Sequence, residues 1–421
     1  MCMAASCRIP SFPGSDMELV SPASLEEAAA ILRAAAAEKV LLEILGAGTK
    51  RGFGRPVEAA KQLTTAAMSG ILSYHPEELV LTARAGTHMR EIVVALAERG
   101  QHLAFEPPDF TALYAPDAAG SPRGDTLGGV LATNLAGPRR FAAGAARDHF
   151  LGFTAVNGRG EVFKAGGQVV KNVTGYDLPK LMAGSFGTLA LMDEVTVKTL
   201  PRPEKTRTVL LYGLDGPAAS AAMTKALGGT YDVTGAAYLP NLLAQRSKAE
   251  LVGGRGSVTA LRVEGSAPAV AHHCAALRRD LGGENEELHT KNSLVLWREI
   301  RDVAGFFDSE NILWRVSVPP SHGPGIAASF AIEVQGSDFY LDWGGGLIWL
   351  SLPIEHGANA ENVRSALTRC GGHATLVRAP EDVRRKVPVF EIEGSPALMQ
   401  RVKQAFDPHG ILNPGRMVEG F

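Results

Sequence analysis

The sequence predicts an α+β protein of two domains, and three of its features support that prediction. A chain of 421 residues is too long for one ordinary hydrophobic core. Between residues 126 and 203 the chain is dense in glycine within an otherwise apolar segment. Beyond a proline-containing break at 201–203, strand and helix patterns alternate from 206 to 375. We therefore expect a loop-rich domain over residues 17–203 and an α+β cap over residues 204–380 that covers one side of it.

Composition and charge exclude several kinds of protein. Hydrophobic residues make up 45% of the chain and charged residues 20%, which is typical of a folded globular protein. The net charge of −2 lacks the basic excess of a nucleic-acid-binding protein, so we expect no nucleic acid partner. No stretch offers the roughly 18 consecutive apolar residues that a membrane span needs.

The cysteines argue against a metal centre. Cys2, Cys7, Cys274 and Cys370 are widely spaced and form no C-x-x-C motif, so we expect neither an iron–sulfur cluster nor a zinc site. The run His272-His273-Cys274 looks metal-like, but adjacent residues of a helix point to different sides. So few cysteines also favour a reducing, cytoplasmic location.

The first elements are a capped helix and a buried strand. Ser24 precedes Leu25-Glu26-Glu27, a capping box that begins a helix expected to run to about Glu38. Residues 40–45 form a short apolar run that is typical of a buried strand. Residues 1–16 have no signal-peptide pattern and are expected to be a disordered leader.

The loop that follows the strand, G-A-G-T-K-R-G-F-G-R-P at 46–56, resembles a dinucleotide-binding motif only superficially. Its spacing is G-x-G-x-x-x-G, and the F-G-R-P that follows cannot open a helix to receive a pyrophosphate. An acidic residue for the ribose is also missing. The loop amides can still bind an anion if a second glycine-rich segment closes on it from the other side. A tight turn between two strands is the alternative.

Short-range patterns predict one strand, one helix and one loop between the two glycine-rich segments. A strand is predicted at Glu78–Ala85, and a helix over Thr87–Arg99 that Thr87 caps and Gly100 ends. The polar, proline- and glycine-rich residues 109–125 predict a surface loop.

The glycine-dense segment is the most informative part of the chain. Glycines cost conformational entropy, so this density suits a backbone that turns tightly or lies against a ligand. They would present bare amides and carbonyls along one wall, which suits a large, flat cofactor with phosphates. Composition alone leaves structural turns as an equal alternative.

Three strings in this sequence also resemble a known family. They are G-G-V-L-A-T-N-L-A-G-P-R-R (128–140), V-V-K-N-V-T-G-Y-D-L-P-K-L-M-A-G-S-F-G-T-L (169–189) and D-P-H-G-I-L-N-P-G-R-M (407–417). They are similar to the FAD-binding proteins of the vanillyl-alcohol oxidase (PCMH-type) family, and in detail to the E-type FAD-binding subunits of glycolate oxidases. The resemblance implies a PCMH-type FAD-binding domain with an α+β cap, and a C-terminal segment, 381–421, that returns to the FAD domain.

The resemblance also implies which residues hold the cofactor. No histidine stands in a flavin-binding string at a place where it would obviously form a covalent flavin bond, so FAD is expected to bind non-covalently. Lys171 is a further candidate for stabilising the reduced flavin, and Asp177 is more simply explained as a loop-holding residue. The implied contacts are Gly46, Ala47, Gly48, Thr49, Lys50, Leu127, Gly128, Gly129, Asn134, Gly137, Gly144, Asp148, Gly184, Gly187, Thr188, Leu189, Asn413 and Gly415.

The catalytic residues are harder to predict. Oxidation of a 2-hydroxy acid requires a cation for the carboxylate and a base for the hydroxyl proton. Related dehydrogenases carry an H-x-G-D-G-N string, but the nearest string here, E-H-G-A-N-A at 355–360, lacks its Asp and second Gly. Arg315 and His373 remain the candidates for anion binding and proton transfer. A structural ion pair and a satisfied turn histidine are the respective alternatives.

The resemblance implies an FAD-binding subunit of a glycolate oxidase complex, which oxidises glycolate to glyoxylate. Its expected partners are a second FAD-binding subunit and an iron–sulfur subunit, with contact to the inner membrane only through them. A self-sufficient FAD-dependent 2-hydroxy-acid dehydrogenase and a non-catalytic FAD-binding subunit, with a relay or structural role, remain alternatives.

Overall fold

The computed structural model describes residues 17–114, 124–167, 175–391 and 394–420. The predicted leader and Lys171 lie outside these residues. Helices and strands are mixed along the described chain, and this confirms the predicted α+β class.

The first part of the chain, up to residue 201, forms three sheets within the described residues. Its strands are β1 (Glu18–Val20), β2 (Leu42–Leu45), β3 (Lys61–Thr64), β4 (Ile71–His75), β5 (Val80–Arg84), β6 (Gln101–His102), β7 (Phe150–Asn157), β8 (Val162–Gly166), β9 (Ala190–Lys198) and β10 (Leu200–Pro201). Its helices are α1 (Leu25–Glu38), α2 (Met89–Glu98), α3 (Thr111–Tyr114), α4 (Leu127–Thr133), α5 (Arg140–Ala143), α6 (Ala146–His149) and α7 (Leu178–Met182). The orders are β1-β3-β2, which is parallel, β4-β5-β9-β7-β8, which is antiparallel, and the pair β10-β6.

The second part of the chain forms one large antiparallel sheet. Its strands are β11 (Lys205–Tyr212), β12 (Val233–Leu239), β13 (Val258–Gly265), β14 (Asn285–Leu288), β15 (Ile312–Ser317), β16 (Asp338–Asp342), β17 (Leu347–Leu352) and β18 (His373–Arg378). Its helices, with those of the C-terminal tail, are α8 (Gly216–Leu227), α9 (Asn241–Gln245), α10 (Ala267–Leu281), α11 (Thr290–Asp302), α12 (Gly323–Glu333), α13 (Ala360–Ser365), α14 (Glu381–Lys386) and α15 (Pro396–Phe406). The order of the described strands is β14-β11-β13-β12-β16-β17-β15-β18.

The two faces of this large sheet have different partners. On one face, Trp314 and its neighbours form a core with helices α8, α10 and α12. On the other face, Leu313 and Trp349 pack in one cluster with Phe53 and Phe110 of the first part. The second face is therefore the face that meets the first part of the chain.

Helix α1 forms where the sequence predicted it. The Ser24 hydroxyl accepts a hydrogen bond from the Glu27 amide at 3.2 Å, and the Glu27 carboxylate accepts one from the Ala23 amide at 2.7 Å. The helix ends at Glu38, as expected, and buries Leu32 in the core beside the parallel sheet.

Two local predictions are wrong. Helix α2 begins at Met89 with His88 at its N-cap, because the Thr87 hydroxyl instead accepts from the Gly70 amide at 2.8 Å. The prediction of a surface loop at 109–125 is also wrong in its first part, because residues 111–114 form helix α3 and Phe110 and Leu113 are buried. At the start of the glycine-dense segment, residues 127–133 form helix α4, which Thr126 caps.

The C-terminal tail lies against the first part of the chain. The Leu42 amide of β2 donates to the Ile411 carbonyl at 2.8 Å, and the Asn413 amide donates to the Leu42 carbonyl at 3.0 Å. Lys403 of α15 is buried and donates to Asp407 at 2.6 Å and to the Thr188 carbonyl at 2.8 Å. These bonds fix the tail beside β2. In the described part of the chain, no helix combines the length and apolar character needed to cross a membrane.

Candidate functional site

The two glycine-rich segments meet in one cleft, which we call the cofactor cleft. One wall consists of residues 43–51, and the opposite wall consists of Gly128, Gly129 and the following turn of α4. Gly187 and Asn413 close one end of it. The segments are about 80 residues apart in the sequence, so their meeting depends on the fold and not on local chain geometry.

The backbone of residues 46–50, the 46–50 loop, carries unsatisfied donors. None of its five N–H groups donates to an acceptor within the described residues. These five residues are half-buried, and their consecutive donors line a cleft. Gly48 has a φ of +75°, a conformation that favours glycine. Consecutive free amides of this kind form a concave site for an anion such as a phosphate.

Two side chains at the C-terminal end of the 46–50 loop fix its position. Lys50 forms an ion pair with Asp125, and the Thr49 hydroxyl donates to the same carboxylate. Lys50 and Asp125 are both largely buried. Because Asp125 directly precedes the N-cap of α4, this pair ties one wall of the cleft to the other.

Arg416 holds the loop by binding backbone carbonyls at and just after its C-terminal end. Its guanidinium donates to the carbonyls of Lys50 at 2.9 Å, Arg51 at 3.2 Å and Arg55 at 3.3 Å. Burial lowers the pKa of Arg416 to about 10, so the side chain remains charged at neutral pH. By binding carbonyls, Arg416 leaves the loop amides for a ligand. Sequence reasoning missed this residue, although it belongs to the N-P-G-R-M string that contains Asn413 and Gly415.

The α4 wall differs from the expected row of bare amides. The amides of Leu127 and Gly128 donate to the carbonyls of Thr87 and Ala85, and the Gly129 amide donates to the Thr126 hydroxyl at 3.2 Å. The glycines of this wall instead allow the backbone of α4 to lie close to neighbouring residues. A Cβ on Gly128 would lie 2.8 Å from the Ala85 Cβ. The missing side chains, and not free donors, are what this wall provides.

The third glycine of the cleft is held by the tail. Gly187 has a φ of +70°, and a Cβ there would lie 2.8 Å from the Asn413 Nδ2. Asn413 donates from Nδ2 to the Phe186 carbonyl at 2.6 Å and accepts from the Ile44 amide at 2.6 Å. Asn413 therefore joins the wall at 43–51 to the Phe186–Gly187 segment at one end of the cleft.

A second group of predicted contacts lies beyond α4. Asn134 ends α4 with a φ of +48° and stands beside Gly184. Asp148 accepts from the Ala145 amide at 2.8 Å and lies against Gly144. Other predicted residues are placed as follows: Leu127 and Leu189 are buried in the core, Thr188 is buried and donates to the Ser185 carbonyl at 2.7 Å, Gly137 lies against the second part of the chain, and Gly415 has a φ of +70° with open space around it.

Arg315 forms no ion pair within the described residues. It lies on β15, on the sheet face that meets the first part of the chain, and its guanidinium stands 4.9 Å from the centre of the Trp343 ring. Its side chain makes no hydrogen bond or ion pair with any described residue. Burial, and then the charge of Arg140, lower the pKa of Arg315 to about 10. The charge of Asp342 favours the charged form of Arg315, but less than burial and Arg140 oppose it. The role of Arg315 in anion binding remains a prediction.

His373 lies near Arg315 on the same face. It begins β18 and pairs with Ser317, while Arg315 pairs with Thr375. Because side chains alternate along a strand, Arg315, Ser317, His373 and Thr375 share one face of the sheet. His373 is half-buried. The structure thus brings both predicted catalytic residues to one place.

A buried group of four charges joins the two parts of the chain. Arg262 forms two bonds of 2.9 Å to the Glu106 carboxylate, and Arg139 forms bonds of 2.7 and 2.6 Å to Glu264. Arg139 also contacts Glu106 at 2.9 Å. Burial would raise the pKa of Glu106, but the charges of Arg262 and Arg139 outweigh it and hold that pKa below its ordinary value. No sequence motif marked this group.

The sequence matches two known domain families. The FAD binding domain family matches residues 18–166, and the C-terminal domain family of FAD-linked oxidases matches residues 384–417. Glycolate oxidase subunit GlcE of Escherichia coli (strain K12) is 34% identical over 386 residues, which are 91% of this chain and 94% of that protein. Glycolate oxidase subunit GlcD of Bacillus subtilis (strain 168) is 30% identical over 202 residues, 48% of this chain and 40% of that protein.

Solved structures show the same fold. A p-cresol methylhydroxylase with bound substrate matches 95% of this chain and 88% of its own with a TM-score of 0.71 at 13% identity. An alkyldihydroxyacetonephosphate synthase matches 94% of this chain and 75% of its own with a TM-score of 0.64 at 17% identity. At these identities the likeness concerns the fold alone, and it confirms the expected PCMH-type architecture.

Proposed function

The chain belongs to the FAD-linked oxidase family that includes the glycolate oxidase subunits, and we propose from that premise that it is the FAD-binding subunit of a glycolate oxidase complex. The reaction is the oxidation of glycolate to glyoxylate. GlcE and GlcD are both named as subunits of glycolate oxidase, and both are similar to this chain, which indicates a complex of several subunits. We further propose that a second FAD-binding subunit and an iron–sulfur subunit are among its partners, and that any membrane contact occurs through them.

The residues of the cofactor cleft fit FAD. The 46–50 loop offers five free amides, which suit the diphosphate. A Cβ on Gly46 would fall well inside 3.0 Å of the Thr126 hydroxyl. The two walls therefore lie so close at this point that only a glycine fits. When bound, FAD supplies the acceptor for the hydride that leaves the hydroxyl-bearing carbon. No histidine lines the described cleft, which supports non-covalent binding. The free amides are the observation that carries the cofactor assignment.

Arg315 is our candidate for binding the substrate carboxylate. A half-buried guanidinium that forms no ion pair with the described residues is unfavourable, and an incoming carboxylate would supply an opposite charge. Trp343, whose ring contacts Arg315, also contacts the Gly137 segment in the first part of the chain. Its indole Nε1 donates to the Gly137 carbonyl at 3.1 Å. A carboxylate bound at Arg315 would therefore lie beside a predicted cofactor-binding segment.

His373 is our candidate for removing the hydroxyl proton. It shares a sheet face with Arg315 and begins its strand, where its imidazole is half-buried. An imidazole can accept a proton from a hydroxyl group, which is the chemistry this role requires. The pairing of a carboxylate-binding arginine with a nearby base favours a subunit that reacts with substrate itself over a purely structural subunit.

The proposal is tested with the purified chain and with the assembled complex. The chain should bind FAD, and anaerobic glycolate should reduce the flavin absorbance when the complex is assembled. Arg315→Met should raise KM for glycolate about 10- to 100-fold, because a hydrogen bond between charged groups contributes about 1.5–3 kcal/mol. Arg364→Met is the matched control, since Arg364 also stands over a tryptophan ring, Trp314, but on the other sheet face. Full activity of Arg315→Met would instead favour the non-catalytic alternative.

A further inference from the structure

Trp343 has a backbone conformation that bulky residues avoid. Its φ is +53°, in the left-handed region, and three glycines follow it at 344–346. For a residue with a large side chain this conformation costs about 1–2 kcal/mol, so the surrounding contacts must hold it there. Its own amide donates to the Asp342 carboxylate at 2.7 Å. Strained residues cluster at functional sites, so the contacts of the Trp343 side chain are of interest.

The Trp343 side chain makes two contacts that involve different parts of the chain. Its indole Nε1 donates to the Gly137 carbonyl in the first part at 3.1 Å. The face of its ring lies 4.9 Å from the Arg315 guanidinium on the large sheet. A guanidinium above an aromatic ring is attracted to the ring face and keeps its N–H groups free at its edge. Arg315 has no other partner among the described side chains.

We propose that Trp343 is the positioning residue of the substrate site: it holds the Arg315 guanidinium in the orientation that binds the carboxylate of a short 2-hydroxy acid, and it sets the distance between that carboxylate and the Gly137 segment. The inference rests on the proposed function of Arg315. Trp343 acts through Arg315 and does not itself exchange protons or electrons. On this proposal, the bond to Gly137 and the contact with Arg315 are among the contacts that hold Trp343 in its strained backbone conformation.

The chain contains a matched control for this role. Trp314 also lies near an arginine, with the Arg364 guanidinium 5.5 Å from its ring centre. Its indole also donates to a backbone carbonyl, that of Ala358, at 2.8 Å. It lies on the opposite face of the same sheet, away from the first part of the chain. A change at Trp314 therefore tests loss of an indole without a change in the substrate site.

The experiment compares Trp343→Phe, Trp343→Leu and Trp314→Phe in the assembled, FAD-loaded complex. Trp343→Phe keeps a ring face but loses the bond to Gly137, so kcat for glycolate should fall several-fold with a KM rise below threefold. Trp343→Leu also loses the ring, so KM should rise about tenfold. Trp314→Phe should change neither constant by more than twofold. All three variants should retain FAD at the wild-type ratio.

A second readout does not depend on turnover. Oxalate, a dicarboxylate with no carbon–hydrogen bond to oxidise, should change the tryptophan fluorescence of the wild type and of Trp314→Phe, and leave that of Trp343→Phe unchanged. Equal constants and equal fluorescence responses in the wild type and both Trp343 variants would overturn the inference. If Arg315→Met raises KM while the Trp343 variants behave as wild type, only this inference fails. If Arg315→Met also behaves as wild type, the proposed function of Arg315 fails with it.

Discussion

Replacing Gly46 by alanine tests the geometry of the cofactor cleft. The new Cβ would fall well inside 3.0 Å of the Thr126 hydroxyl, the group that caps α4 through the Gly129 amide. No positive φ is involved at Gly46, so the effect is steric. Forcing an extra methyl group into a packed site costs about 1–3 kcal/mol. If the 46–50 loop moves to absorb it, the dissociation constant for FAD should rise about 5- to 150-fold, since 1.4 kcal/mol is a factor of ten.

The assay is a double-mutant cycle with Thr126→Ala. Removing the hydroxyl costs about 1 kcal/mol of unfolding free energy through the lost cap. It also removes the atom that the Gly46→Ala methyl group strikes. The double variant should therefore be no less stable than Thr126→Ala alone, within about 0.5 kcal/mol. FAD affinity is measured by quenching of flavin fluorescence, and unfolding free energy by urea denaturation.

Gly325→Ala is the control for the change from glycine to alanine itself. Gly325 lies in helix α12, and an added Cβ would meet nothing within 4 Å. This variant should be more stable by up to about 1 kcal/mol, with unchanged FAD binding. An equal loss of FAD affinity from Gly46→Ala in the wild-type and Thr126→Ala backgrounds would refute the reasoning, because the clash would then not be the cause.

Three further predictions concern residues that hold the walls and the two parts of the chain together. Asn413→Ala should be less stable than Asn413→Gly by about 1 kcal/mol in urea denaturation, because both lose the same bonds but only alanine must hold a side chain at a φ of +43°. Glu106→Gln should lower the unfolding free energy by about 3–5 kcal/mol, because Arg262, 1% exposed, and Arg139 lose a shared carboxylate and, within the described residues, only Glu264 is left to balance both charges; a loss below about 1 kcal/mol would contradict the assignment. Burial raises the pKa of Asp342 to about 7, even though the Trp343 amide and nearby arginines favour its ionised form. Because the folded state then binds more protons than the unfolded state between about pH 4 and 7, this carboxyl makes stability fall as pH rises through that window. The urea midpoint of Asp342→Asn relative to the wild type should therefore increase from pH 5 to pH 8, and a decrease would show that the carboxyl is stabilised in its charged form.

The sequence could predict the cleft because its signals are local. Glycines that interrupt an apolar segment mark backbone that approaches something closely, and Gly46 and Gly128 both do so in the structure. The amides of the 46–50 loop remain free because no regular strand or helix can form across that pattern. The amides of Gly128 and Gly129 are used internally because a helix forms there instead. Glycine content predicted that the backbone approaches other atoms closely. It could not predict which of the two walls leaves its backbone N–H groups free of internal hydrogen bonds.

Other features depend on contacts between distant residues, and local patterns could not reveal them. Threonine is a residue type that often caps helices, but the Thr87 hydroxyl accepts a hydrogen bond from the amide of Gly70, 17 residues away, instead of capping α2. Arg416 binds the carbonyls behind the 46–50 loop from more than 360 residues away. In the sequence Trp343 was marked only by the run of glycines that follows it and by its place in a string, D-W-G-G-G-L-I-W-L at 342–350, that resembles the family. Neither signal predicted its positive φ or its two contacts.

The register between the two parts of the chain is set by directional contacts. The apolar contacts of Phe53 and Phe110 with the large sheet stabilise the interface, but hydrophobic burial does not by itself fix an orientation. The bidentate bonds of Arg262 to Glu106 and the bond of Trp343 to the Gly137 carbonyl are directional, and both cross the interface. A shift of 1 Å would leave buried charges unpaired, which is costly. The distance from the carboxylate-binding arginine to the cofactor segment is thus maintained by polar contacts within an apolar interface, and reaction geometry should be more sensitive to these contacts than to the apolar ones.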